Sequence, residues 1–448
     1  MHMPGHKRNA LLAPYLAQLG AALDITEIDG FDNLHAPEGL LKEAMQRAAA
    51  VYGAAHTHYL INGSTAGILA GVRALVRPGG GILMQRTSHL SVYHAAALSR
   101  APVRYLYEQS DPLTGVPVPP EADQLDQALR AFPECALVVL TSPTYEGRLS
   151  DLPALVAAAH AHGAAVLVDA AHGAHLGLHP AFEDGAIASG ADIVVHSLHK
   201  TLPALTQCAL AHTRDDDISR RLAEQLDIFQ TSSPSYLLMA SIDGCMDLLA
   251  QKGTGLFDAW AQRIHYVEGE LSGLTHLQLM RWQYMDGSKL LVSCHRANIT
   301  GHELAKKLSE EHAIDVEMAA DRSLLAMTGL GDTQEGMQRF VQALRDIDRD
   351  LAHEDKPPMV ALGHAEEVLP AAIALEAPHE RVSLQEAQGC VCAEYVCAYP
   401  PGAPVLVPGE RVSSAAVAHI QQAGALLKTR SKGHPDSLCV LSPGVSNL

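Results

Sequence analysis

No window of this chain reaches the roughly 18 uncharged apolar residues that a membrane-crossing helix needs, which argues against a helical anchor. The N-terminus lacks the apolar stretch and small-residue cleavage site of a secretory leader. Cysteine is sparse: eight residues, without the dense, regular spacing of a stapled secreted scaffold, point to a reducing compartment. Positive charge is also in deficit. Lys plus Arg number 32 against 50 Asp plus Glu, a net charge of −18, and that field repels a polyanion such as nucleic acid. Internal repeats and low-complexity tracts are missing too. The expectation is a soluble, cytoplasmic protein with neither a membrane nor a nucleic-acid partner.

What the chain has is ample apolar content, 48% hydrophobic against 18% charged over 448 residues, enough for two or three cores. Between about residue 57 and residue 212, short apolar runs alternate with helical stretches, the pattern of βα units around a parallel sheet. Ala136 to Thr141, Ala164 to Asp169 and Asp192 to His196 carry little polar alternation and read as strands buried on both faces. Leu152, Leu155 and Val156 recur at helical spacing between Asp151 and His162, with Gly163 as the stop. A strand at Leu290 to Ser293 and a helix from Gly301 to His312 suggest a smaller α/β unit. Glu354 to Pro358 reads as a linker, and tight turns at Tyr399, Pro400, Pro401, Gly402 and at Pro408, Gly409 mark a C-terminal unit. The expected division is 1–270, 271–355 and 356–448.

A parallel sheet with covered faces places its ligand site at the carboxyl ends of its strands, so the residues just after each run carry the most information. After the third run stands Lys200. Loss of water at a buried strand end lowers a lysine's pKa toward the range where the free amine attacks a carbonyl and forms a Schiff base. An isolated lysine there usually opens the next helix in solvent, so its neighbours must decide. The second run ends in Asp169, a carboxylate that needs either a helix to cap or a cation, such as a protonated pyridine nitrogen. Upstream, Asn62, Gly63, Ser64, Thr65 and Ala66 open an apolar helix, where backbone N–H groups and hydroxyls suit a phosphate or a plain N-cap. His89 follows a further apolar run and can lie flat against an aromatic ring. Phosphate cradle, stacking His, Asp and Lys in that order, at successive strand ends, are far more specific together than singly.

With these residues in place the sequence resembles the bacterial-type Orn/Lys/Arg decarboxylases. The likeness runs through Pro4, Gly5, His6 and Lys7, the segment Thr26 to His35, Asn62 to Ala66, Asp169 to His175, Ser197 to Thr201, Thr231 to Tyr236, and the C-terminal turns ending at Glu410. Ala170 and Leu90 stand where family members commonly have Glu and Lys. The family signature begins almost at Met1, so the expected form is short, without the N-terminal wing domain of long members.

The resemblance implies an aspartate-aminotransferase-like fold, the type I fold of pyridoxal-phosphate enzymes: an α/β large domain on a mostly parallel sheet, a smaller α/β domain and a small C-terminal domain. It implies pyridoxal 5'-phosphate held covalently by Lys200 with His199 beside it, the phosphate on Ser64, Thr65, Ala66 and Ser197, His89 stacked on the ring, and Asp169 on the ring nitrogen. His172 would touch the ring hydroxyl or the substrate. Thr231 and Ser232 would reach the phosphate of a neighbouring subunit, making a homodimer the smallest active unit. The implied reaction is decarboxylation of a basic amino acid to carbon dioxide and a diamine or agmatine, the precursors of polyamines, with His199 or Lys200 returning a proton to the α-carbon. Glu394 is the candidate partner for the cationic side chain of the substrate.

Two rival readings follow from the same residues. An aminotransferase would clamp the substrate carboxylate with an arginine, for which Arg296 and Arg322 are candidates. A metal protein would use His172 with His175, His196 with His199, and Cys390, Cys392 and Cys397, but it leaves Lys200 and the phosphate-like loop without a role; no metal is expected.

Overall fold

The computed structural model describes residues 3–9, 11, 14–28, 30–359, 363–398, 402–423, 427–428 and 436–443. Asp29 and the turn residues Tyr399, Pro400 and Pro401 lie outside the described residues.

The three runs form the strands Cys135–Thr141, Ala165–Asp169 and Ile193–Ser197, and all but the rim positions Thr141 and Ala165 are buried. They are neighbours at the centre of a seven-stranded sheet. Its order is His56–Leu60, Ala209–Thr213, Ile193–Ser197, Ala165–Asp169, Cys135–Thr141, Gly81–Gln85, Val103–Leu106. Ala209–Thr213 alone runs against its neighbours; the other pairings are parallel. The crossover helix forms over Leu152–Ala161, with Asp151 Oδ1 accepting from Ala154 N at 3.2 Å as its cap.

The helix Gly63–Leu75 lies on this sheet through two glycines. A Cβ on Gly67 would stand 2.5 Å from Leu60 Cδ1, and one on Gly71 would stand 2.6 Å from Leu167 Cδ1. Bare backbone therefore sets the helix close to the sheet, with its N-terminus at the strand ends.

A 36-residue helix, Tyr236–Leu271, buries one end in the core beneath the large sheet and the other in a separate core around Leu290, Leu304 and Leu344. That second core sits behind a four-stranded antiparallel sheet in the order Gln278–Leu279, Lys289–Ser293, Ser323–Met327, Met318–Ala319. The helix Gly301–His312 opens with a capping box made by Thr300 and Glu303, which is how a short polar stretch fixes a helix start. From Glu367 onward the chain forms a small β-rich unit with its own apolar core around Cys392, Leu406 and Val440. No helix among the described residues is long and apolar enough to cross a membrane.

Candidate active site

The carboxyl ends of the strands converge on a cavity of about 690 Å³, lined by Asn62 to Thr65, Thr87, His89, Thr141, Pro143 to Glu146, Asp169, His172, Ser197, His199 and Lys200, among others. Eight of the residues singled out in the sequence meet there: Ser64, Thr65, His89, Asp169, His172, Ser197, His199 and Lys200. The position follows from topology, since side chains beyond the last rung of a parallel sheet are freed from ladder pairing and face the crevice.

One end of the cavity is made of hydroxyls and helix. Ser197, fully buried at its strand end, donates from Oγ to Ser64 Oγ at 2.8 Å. Ser64 and Thr65 sit in the first turn of the helix Gly63–Leu75, where backbone N–H groups lack intrahelical partners and the helix dipole favours an anion. Ala66 lies behind them, buried. This end fits a phosphate. Asp169, also in the lining, is 5% exposed, and its Oδ1 accepts from Ala171 N at 3.2 Å. It forms no ion pair among the described residues, so a buried carboxylate faces the cavity with room for a cationic ring N–H. His89 caps the helix Leu90–Ser99 by accepting from Ser91 N, and it lines the same cavity.

Lys200 occupies a single helical turn after the strand Ile193–Ser197, and its Nζ lies 2.8 Å from His172 Nε2. Burial lowers its pKa below the ordinary lysine range, against the opposing pull of Asp169 and Glu317. His172 is held well below the ordinary histidine range by burial and by its lysine neighbours, Lys289 foremost, so it is a neutral imidazole. His199 stands beside Lys200, with Nδ1 3.2 Å from the Cys208 carbonyl, and burial lowers its pKa as well. A phosphate cradle, a flat imidazole, an acid for a ring nitrogen and a softened lysine match pyridoxal phosphate group for group.

Three sequence expectations fall elsewhere. Thr231 and Ser232 are exposed outside the cavity, although Thr231 N donates to the rim residue Asn62 at 3.3 Å. Glu394 is fully buried in the C-terminal unit, where its Oε1 accepts from Cys439 N at 2.6 Å. It does not line the cavity; the carboxylates that do, besides Asp169, are Glu146 and Glu317. Sequence reasoning missed both, because neither follows one of the three legible strands directly. It also missed Lys289, whose Nζ lies 2.7 Å from His172 Nδ1.

The rivals find little here. Arg296 and Arg322 stay out of the cavity, and no arginine of the described residues lines it. The histidines of the metal reading are otherwise engaged: His172 by two lysines, His175 by Asp286 and His196 by His212. No group of three or more metal-ligating side chains occurs among the described residues.

Comparison with known proteins identifies the family. The family model described as Orn/Lys/Arg decarboxylase, major domain, matches residues 2–295, and that of the C-terminal domain matches 368–430. The chain is 31% identical over 440 residues to an arginine decarboxylase of Bacillus subtilis, covering 94% of this chain and 89% of the relative. It is 35% identical over 456 residues to YaaO, an uncharacterised protein of the same organism, covering 97% and 92%. Among solved structures, lysine decarboxylase A from Pseudomonas aeruginosa superposes with a TM-score of 0.82 at 16% identity, over 99% of this chain and 78% of that one, which shows the shared fold. Pyridoxal phosphate is the cofactor that family and fold imply. The chain is an amino-acid decarboxylase that belongs to the Orn/Lys/Arg decarboxylase family.

Proposed function

We propose that the chain decarboxylates a basic amino acid (arginine, lysine or ornithine) to the corresponding amine and carbon dioxide, with pyridoxal phosphate carried on Lys200. The observation that supports this most directly is the amine of Lys200 set against a neutral His172 in a cavity backed by Asp169. The cofactor, when bound, supplies a cationic ring that accepts the electrons left behind by carbon dioxide. Asp169 holds the proton on the ring nitrogen that makes this possible. Ser64, Thr65, Ser197 and the helix N-terminus hold the phosphate, and His89 lies against the ring face. Lys200 Nζ and His199 are the groups placed to return a proton to the α-carbon.

A cationic substrate side chain needs an anionic partner, and Glu317 meets that need at the exposed side of the cavity, where Tyr145 Oη donates to it. Loss of a hydrogen bond to a charged group costs about 1.5–3 kcal/mol. Glu317→Gln is therefore expected to raise KM for basic amino acids about tenfold or more with a smaller change in kcat. An unchanged KM for all three would remove Glu317 from the role.

We read the active form as a homodimer in the cytoplasm, with Thr231 and Ser232 serving the partner's phosphate. Their exposure beside Asn62 supports this, as do the exposed apolar side chains Leu11, Tyr15, Leu19 and Leu23 near the N-terminus. The boundaries near 270 and 355 draw support from the separate apolar cores on either side of them. The deciding experiment offers each basic amino acid to cofactor-loaded protein and measures carbon dioxide and amine. Keto-acid formation in place of carbon dioxide would overturn the proposal, as would the failure of borohydride to leave a pyridoxyl mass on the Lys200 peptide.

A further inference from the structure

The small sheet sends one side chain against His172, a residue of the large domain's site. Lys289, first residue of the strand Lys289–Ser293, is 0% exposed, and its Nζ lies 2.7 Å from His172 Nδ1. It makes no ion pair among the described residues; the nearby Asp286 carboxylate accepts through Oδ1 from His175 at 3.0 Å and from Ser288 N at 2.9 Å, and neither of its oxygens pairs with Lys289. A lysine buried without a salt-bridge partner is rare because it is costly.

The backbone is shaped to admit it. Gly147 has φ +99°, and a Cβ there would stand 2.5 Å from Lys289 Cγ and 2.7 Å from its Cβ. The stem of the lysine thus passes over bare backbone. Asp286 N donates to Gly147 O at 2.8 Å and fixes this crossing between the two units.

His172 therefore has an amine on each ring nitrogen: Lys289 at Nδ1, 2.7 Å away, and Lys200 at Nε2, 2.8 Å away. A neutral imidazole offers one lone pair and one N–H, and an ammonium can only donate. Both lysines cannot be ammonium groups in this row. Lys289 faces three carboxylates, Asp286, Glu317 and Glu146, and the ring of Tyr145 at 5.9 Å. Lys200 faces only two, Asp169 and Glu317. His89 and His199 face His172 from the other walls. The charge belongs on Lys289.

We infer that Lys289 is a positioning residue for the cofactor lysine: its ammonium donates to His172 Nδ1, fixes the Nε2–H tautomer, and so holds Lys200 as the free amine. This rests on the reading of Lys200 as the cofactor lysine. In the step it serves, Lys200 Nζ bonds to the aldehyde carbon and the aldehyde oxygen leaves as water with the two amine protons. Burial brings the pKa of Lys289 down to about 8, so the ammonium is present at neutral pH and lost above that.

Two measurements on the full chain test it. In cofactor-free wild-type protein labelled with 15N-histidine, with the His172 signals identified by their loss in His172→Gln, Nδ1 is expected to show the shift of an unprotonated nitrogen and Nε2 that of a protonated one. The reverse pattern overturns the inference without any variant at position 289. Second, the rate at which added pyridoxal phosphate develops visible absorbance is followed against pH in wild type and Lys289→Met. Without the fixed tautomer, Nε2 accepts from a Lys200 ammonium; the midpoint is expected to rise by about one pH unit and capture at neutral pH to slow about tenfold. An unmoved midpoint in a variant with wild-type thermal unfolding overturns the inference alone. Wild-type protein that takes no pyridoxyl label at Lys200 after borohydride sinks the cofactor reading itself, and this inference with it.

Discussion

His196 and His212 form a buried pair beneath the sheet, with His196 Nδ1 3.2 Å from His212 Nε2 and His212 Nδ1 2.8 Å from Thr57 Oγ1. Burial and the nearby His175 press the pKa of His196 down to about 3; burial and two histidine neighbours hold His212 well below the ordinary range. Both bases have folded pKa values below their unfolded value near 6.5, so between those limits the unfolded chain binds more protons. Their contribution to stability is complete above pH 6.5 and is lost as the pH falls toward the folded values. Each adds about 1.4 kcal/mol per pH unit to the slope in that window. Urea unfolding is thus expected to give a stability that falls steeply below pH 6.5, and His212→Gln, which keeps a hydrogen-bonding side chain without the titration, to flatten that slope by about one such increment. An unchanged slope would mean that this pair does not govern acid lability. At this scale the sequence was legible where topology makes a residue informative. Asp169 ends a strand and Lys200, His172 and Ser64 each follow one closely, and a strand end in such a sheet faces the crevice. Lys289 was illegible because a lysine opening a strand ordinarily lies in solvent. Glu394 misled for the opposite reason: no pattern along the chain tells that its carboxylate turns inward to cap Cys439 N.

Elements were legible in proportion to how strongly their burial was one-sided or complete. The strands Cys135–Thr141, Ala165–Asp169 and Ile193–Ser197 stood out because burial on both faces demands an unbroken apolar run. The helix Tyr236–Leu271 did not: its buried residues do recur every three or four positions along its length, but Leu237, Leu238, Leu248 and Leu256 lie off that stripe and blur it in the sequence. Its glycines give one of two opposed predictions. Nothing lies within 4 Å of a Cβ built on Gly269, so Gly269→Ala is expected to raise stability by about 0.5–1 kcal/mol through helix propensity alone. In the helix Gly63–Leu75 the same change at Gly67 would thrust a methyl to 2.5 Å from Leu60 Cδ1 and 3.1 Å from Val195 Cγ1. Leu60 and Val195 are both fully buried, and overpacking of about 1–3 kcal/mol outweighs the propensity gain. Gly67→Ala is expected to lower the thermal midpoint and, by lifting the helix N-terminus from the sheet, to weaken cofactor binding in a visible-absorbance titration. Two glycine variants of like sign would show that close approach does not set the helix.

At the scale of the whole molecule the C-terminal unit completes the site's edge. Arg86, one residue beyond the strand Gly81–Gln85, donates to Pro404 O at 2.6 Å, Val405 O at 3.2 Å and Glu410 Oε2 at 3.1 Å. Leu90 N donates to Gly402 O at 3.0 Å, and Ala403 lines the cavity. The turn that carries His89 is therefore gripped from both sides by residues more than three hundred positions away, and this gives the C-terminal Pro408, Gly409, Glu410 turn a task that its sequence alone did not disclose. Glu410 is 1% exposed and also accepts from Val407 N at 2.8 Å. Removing one charge of a buried, hydrogen-bonded pair leaves the other uncompensated and typically costs about 3–5 kcal/mol. Glu410→Gln keeps the shape and drops the charge, so the loss should fall on docking rather than on the fold of either unit. The expected outcome is faster proteolysis of the C-terminal unit, with the large domain intact, and weaker cofactor binding through a loosened His89. Because Arg86→Met removes the orphaned cation, the double variant should lose less than the two single changes add up to. Additive losses, or proteolysis at the wild-type rate in Glu410→Gln, would mean that other contacts dock the unit and that Arg86 does not tie it to the site.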